Sequence, residues 1–288
     1  MTVYKDKDIN NIKIDNKISN LNINLMKDVQ SELDSRNLPI NKVGIKNMRY
    51  PINVLDRKKK IQSTVATINM YVDLPHHYKG THMSRFVEML NELQPEVSLK
   101  NFSLVMEQMK SCLKAASAHL EISFPYFMEK KSPVSGSVGL MDYDCRFIGF
   151  SNSTGSTDIV TEVKVPITSV CPCSKEISTY GAHNQRGEVI LATRFKKFIW
   201  IEDMVELIEK CASCEVYSVL KRVDEKFVTE KAFNNPKFVE DIVRDISLEL
   251  KKDQNITWFS VSAENFESIH NHSAYALITS NGTPLFMG

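Results

Sequence analysis

The chain has no uninterrupted apolar run approaching the roughly 18 residues a helix needs to cross a bilayer. It has no excess of either charge: 36 Lys and Arg stand against 35 Asp and Glu, a net of +1. Such a balance supplies no global field for nucleic acid or a membrane surface, so neither is expected as a partner. The opening segment MTVYKDKDINNIKIDNK lacks the apolar stretch of a secretory signal, and a cytoplasmic location is the expectation. Cysteine is scarce, six in 288 residues. Without an export signal these are read as reduced thiols serving as core residues, metal ligands or catalysts before disulfides.

What is present is ordinary for a globular protein: 42% hydrophobic and 25% charged residues. The length suffices for one large domain or two modules. Residues 1–40, rich in Asn, Asp and Lys, read as a weakly ordered arm in which Ile18 to Leu33 could be helical. From Val43 the patterning sharpens. Val43 to Leu55 reads as a strand, and Ala66, Ile68, Met70, Val72 and Leu74 alternate with polar residues as a second. Met83, Phe86, Val87 and Leu90 have helical spacing, and the stripe Phe102, Val105, Met109, Cys112 and Ala116 repeats it. Strands are expected again at Leu120 to Tyr126 and Leu140 to Phe150.

That order then recurs. Val163 to Cys171 and Val189 to Phe195 read as strands, Asp203 to Cys211 and Val239 to Leu250 as helices, Thr257 to Ala263 and Ser273 to Thr279 as strands. The expected fold is α+β: two similar modules, residues 41–152 and 153–288, each an antiparallel sheet with its helices on one face, joined near residues 151–157.

The most distinctive segment is CPCSKEISTYGAHNQRG, Cys171 to Gly187. Pro172 stiffens the turn between Cys171 and Cys173, and Gly181 permits a bend that returns His183 toward Cys171. Thiolate and imidazole suit zinc and other late first-row ions. Spacing alone leaves four readings open. Cys171 with His183 could bind a catalytic metal, and Cys173 could be a nucleophile or proton donor. Cys171 and Cys173 could join Cys211 and Cys214 in a structural zinc clip within a binding module, or the segment could simply be a packed turn. Cys112 and Cys145 read as core residues, and Pro236 as the first residue of a helix. Glu240 borders the apolar stripe of that helix, and His270 lies between two strands in ENFESIHNHSAYA.

Taken together, VGIKNMRYP, HMSRF, SPVSG, CPCSKEIS, GAHNQRG, LKRVDEK, VTEKAFNNPKFVED and ESIHNHSAYA resemble the type IB GTP cyclohydrolases. The resemblance implies the tunnelling fold, two ββααββ modules per chain assembling into barrels, usually a homotetramer with active sites at subunit interfaces. It implies conversion of GTP and water to 7,8-dihydroneopterin triphosphate and formate, the first step of tetrahydrofolate biosynthesis, with zinc or manganese. On this resemblance Cys171, His183 and Glu225 are metal ligands, Cys173 and His270 are catalytic, and Glu240 anchors the guanine edge. Lys175, Arg186, Lys221 and Arg222 are candidates for the triphosphate. Val223 stands where the family pattern has proline, and CEVYSVL where it tends to CPVYPLL. A deazapurine nitrile reductase of the same fold is the rival enzyme, a chemistry with no need of a metal pair.

Overall fold

A computed structural model describes residues 28–92, 96–97 and 99–280. Of the expected N-terminal arm, residues 1–27 lie outside that range. Residues 28–33 are not helical: Leu33 bridges to Tyr78, and Glu32 pairs with Lys79.

The described chain runs β1 (Ile40–Asp56), β2 (Lys60–Leu74), α1 (Met83–Glu92), β3 (Glu96–Val97), α2 (Leu99–Leu113), β4 (Ala118–Lys131) and β5 (Val138–Ser151). It continues through β6 (Thr157–Val170), α3 (Pro172–Ile177), β7 (Asn184–Phe195), α4 (Ile201–Cys211), β8 (Cys214–Glu215), α5 (Arg222–Asn234), α6 (Val239–Lys252), β9 (Ile256–Asn265) and β10 (Ala274–Thr279).

The expected pair of ββααββ modules, each with its own sheet and helices on one face, is not what forms. One sheet of ten strands runs through both halves in the order β10-β9-β7-β6-β5-β4-β2-β1-β3, with β8 also paired to β6. Two features overturn the repeat. The first half inserts β3, which pairs in parallel with β1, between its helices. The second half carries α3, β8 and α5 as additional elements. The supposed link at residues 151–157 is a tight turn: Asn152 N–H donates to Ser156 O, and Gly155 takes φ +79°. β5 and β6 therefore pair at once, from Ser151 opposite Thr157 to Asp144 opposite Lys164.

Alternation explains why these segments are strands. Ala66, Ile68, Met70, Val72 and Leu74 in β2, and Ala118, Leu120, Ile122, Phe124 and Tyr126 in β4, are all buried. All of these except Leu74 share one hydrophobic cluster with Val163, Val165 and Ile167 of β6, Val189 and Leu191 of β7, and Phe259, Val261 and Ala263 of β9. The same cluster takes Phe86 and Leu90 of α1, Phe102 and Met106 of α2, Met204 and Ile208 of α4, and Ile242 and Ile246 of α6. Each fully buried large side chain contributes about 1.5–3 kcal/mol, so this continuous core holds both halves to the common sheet.

Three side chains depart from the expected stripes, Ala116 being exposed beyond the end of α2 at Leu113. Met83 and Cys112 are exposed, because the buried faces of α1 and α2 are set by Phe86, Met89 and Leu90 and by Phe102, Met106 and Met109. Pro236 lies in the link between α5 and α6 rather than at a helix start. No helix among the described residues is long and apolar enough to cross a membrane.

Candidate active site

The candidate site forms where β6 ends and β7 begins. Beyond the last rung, Val170 opposite Asn184, Cys171 N–H donates to His183 O at 3.2 Å. The cysteine and histidine, twelve residues apart in sequence, are therefore neighbours across the ladder. Cys171 is the N-cap of α3: its backbone is extended, its Sγ accepts from Ser174 N–H at 3.4 Å, and Pro172 begins the helix. Ser174 Oγ donates to Cys171 O at 3.2 Å and accepts from His183 N–H at 3.1 Å, tying the two strand ends together. Gly181, at φ +144°, makes the bend that returns the chain to His183. Cys173 stands exposed in the first turn of α3.

A buried polar network fixes the histidine. His183 Nδ1 lies 2.9 Å from Gln185 Oε1 and 3.8 Å from Glu267 Oε2. Gln185 Nε2 donates to Glu267 Oε1 at 3.5 Å and to Ser169 Oγ at 3.4 Å. Asn265 Nδ2 donates to Ser169 Oγ at 3.0 Å, which in turn donates to Lys237 O. Gln185, Ser169 and Asn265 are all buried, so their donors and acceptors must be satisfied within the protein or by a ligand. Asn265 Oδ1 has no partner. Beside the network lies a cavity of about 220 Å³ whose lining includes Cys171, Gln185, Glu240, Asn265, Glu267 and Tyr275.

Of the residues singled out in the sequence, Cys171, His183 and Glu240 thus meet around one cavity and its supporting network. Glu225 is exposed on α5 and does not line the cavity. His270 is exposed in the β9–β10 turn, its ring stacked on His272 at 4.9 Å. Lys175 Nζ donates to Phe233 O at 2.6 Å and lies over the Phe233 ring, beside a larger cavity of about 640 Å³. Arg186, Lys221 and Arg222 are exposed. Among the described residues no three His, Cys, Asp or Glu side chains gather closely enough to hold an ion. Cys211 packs into the main core, where burial pushes its thiol up; burial pushes Cys214 up to about 11. Cys211 and Cys214 are buried among apolar side chains and gather with no third candidate ligand among the described residues, so both serve as core residues.

Sequence reasoning missed Glu267 and Gln185. Their signal was slight: one lies three residues before His270, the other two after His183. It also missed Asp224, which is fully buried. Asp224 Oδ1 accepts from Val134 N–H and Ser135 N–H, and Oδ2 from Ser135 Oγ and Lys221 N–H. Burial alone would raise its pKa, but these hydrogen bonds hold the carboxyl well below the usual carboxylate range. Asp224 therefore pins the start of α5, and with it Glu225, to the Ser132–Ser137 turn, while Val223 stays exposed. Asp224→Ala strands four donors and should lower the melting temperature by several degrees. Because the folded pKa is depressed, the stabilisation is complete above the ordinary value of 3.8 and is lost as pH falls below it. Melting curves of wild type and variant should converge through that acid window.

A cysteine and a histidine paired through their backbones, next to a cavity edged with carboxylates, bring together the donor types of a hydrolytic centre. The profile of a family described as type I GTP cyclohydrolase folE2 matches residues 26–276. A GTP cyclohydrolase FolE2 from Desulfosudis oleivorans is 69% identical over 254 residues, covering 88% of this chain and 98% of the relative. One from Syntrophobacter fumaroxidans is 63% identical over 253 residues, covering 88% and 98%. The chain belongs to the type I GTP cyclohydrolase folE2 family. It is accordingly a hydrolase of the GTP cyclohydrolase class. A uricase from Bacillus fastidious shares the fold at a TM-score of 0.50 and 7% identity, covering 83% of this chain and 92% of that one, a likeness of fold alone.

Proposed function

We propose that this enzyme is of the type IB form, cytoplasmic, and converts GTP and water to 7,8-dihydroneopterin triphosphate and formate for tetrahydrofolate biosynthesis. The observation that carries the reading is the Cys171–His183 backbone pair set against the Glu240- and Glu267-lined cavity. Family membership favours this chemistry over nitrile reduction.

Cys171 and His183 would hold a divalent ion, zinc or manganese, with Glu225 as third ligand. Sulfur, imidazole nitrogen and carboxylate form a donor set that suits a late first-row ion. Bound there, the ion supplies Lewis acidity that makes water nucleophilic near neutral pH. Gln185 and Glu267 hold the His183 ring, as outer partners of a metal-binding histidine do. Glu240 offers two acceptor oxygens to the N–H edge of guanine and orients carbon 8 for attack. Cys173 and His270 move protons during ring opening. Lys175, Arg186, Lys221 and Arg222 are the cations for the triphosphate.

Glu225 and His270 stand exposed in the single chain, which favours a site completed between subunits of a homo-oligomer, a tetramer on the family pattern. The test is GTP turnover, read as the fluorescent oxidised pterin, after a chelator strips the protein and single metals are returned. Turnover should vanish on stripping and return with zinc or manganese. Full turnover by the stripped protein overturns the proposal.

A further inference from the structure

A second cavity, of about 330 Å³, shares no lining residue with the two already described. It lies among the β1–β2 turn, β4, β5 and α4, and its size is at the lower end of small-molecule sites. Its floor is built of acceptors. Glu202 is 8% exposed; its Oε1 accepts from Tyr126 Oη at 2.8 Å and from Arg57 N–H at 2.9 Å. Glu202 Oε2 is buried and has no partner. Tyr143 Oη likewise donates its hydrogen bond, to Glu209 Oε1 at 2.9 Å. Both tyrosine oxygens retain lone pairs and no free hydrogen. The walls carry both signs: Lys59 pairs with Glu129, Arg57 with Glu206 and Lys130 with Glu209, which leaves Lys58 and Lys131 as the exposed lining cations outside those ion pairs.

A buried carboxylate oxygen left without a donor is costly, and a ligand that supplies one recovers that cost. Acceptors below and ammonium groups above fit a dipolar molecule entering head first. We propose that this cavity is a second ligand site, for a small molecule with an N–H-rich head and an anionic tail. A guanidino amino acid and a guanine mononucleotide both carry that chemistry: guanidinium or 2-amino edge toward Glu202, carboxylate or phosphate toward Lys58 and Lys131.

The experiment is calorimetric titration of the full-length, metal-loaded protein with L-arginine, with GMP and with inorganic phosphate. Three proteins are compared: wild type, Glu202→Gln, and Lys58→Ala combined with Lys131→Ala. Glu202→Gln keeps an oxygen for Tyr126 and Arg57 while removing the orphan acceptor. Arginine or GMP should bind wild type and phosphate alone should not; which of the two binds identifies the source. Both variants should weaken that binding at least about tenfold, the worth of one hydrogen bond to a charged group, with GTP turnover unchanged. The lysine variant alters only exposed side chains, so it decides the matter even if Glu202→Gln folds poorly. Binding of neither probe, or binding equal in wild type and the lysine variant, overturns the proposal and leaves the cavity to water.

Discussion

Cys173→Ala should lower GTP turnover by about 100- to 10,000-fold, the range lost with a general acid or base, while the protein melts as wild type does. The exposed thiol makes no contact on which folding depends, so a stability change would be unexpected. His183→Ala should go further and abolish product. It removes a metal ligand in the proposed mechanism and also strands Gln185 and Glu267, which face its ring. Returning zinc or manganese in excess should not rescue His183→Ala. The paired measurement is turnover by pterin fluorescence and bound metal by elemental analysis. Near-normal turnover in both variants would sink the assignment of this corner as the active site.

Gly187→Ala should be the most damaging conservative change in the second half of the sheet. Gly187 faces Asn265 in the β7–β9 ladder. A Cβ there would lie 2.6 Å from Asn265 Oδ1 and 2.8 Å from Glu264 O, both closer than real contacts allow. Asn265 is buried and Glu264 presents backbone, so the end of β9 must move. Overpacking of this kind costs about 1–3 kcal/mol. Glu267 follows two residues after Asn265, and its carboxylate would be carried away from His183. A displacement of about 1 Å at a reacting centre costs about 100-fold in rate, so kcat should fall even where the variant remains folded. A Gly187→Ala protein with wild-type melting and turnover would show that this register does not position the site.

The strands and most helices were legible because burial in this chain follows period. From Ala66 to Leu74 in β2 and from Ala118 to Tyr126 in β4 every second residue is buried, and α4 and α6 turn one apolar stripe to the core. The elements that stayed hidden have no such period. β3 and β8 are two residues each, too short to alternate. α5 buries only Asp224 and Ala232, so it carries no apolar stripe; a buried acid, satisfied by the turn before β5, sets its start. The repeated element order suggested two units because sequence order does not reveal pairing partners. β5 and β6 join the halves through a turn that reads as a polar link.

For the site, residue types and local stereochemistry determined a good deal. A proline between two cysteines stiffens the turn, a glycine bends the chain, and the backbones of Cys171 and His183 meet where the strands join. Those are local facts, carried by a few neighbouring dihedral angles. Glu267 is different in kind. In the sequence it is one carboxylate among 35 acidic residues, indistinguishable from a solvated loop charge. It comes to lie 3.8 Å from His183 because β9 packs beside β7, with Asn265 opposite Gly187. The orphaned oxygen of Glu202 is likewise invisible before the β1–β2 turn and β4 close over α4. Local conformation is a matter of nearest neighbours along the chain, whereas desolvation and partner choice depend on contacts between segments distant in sequence, which only the assembled sheet brings together.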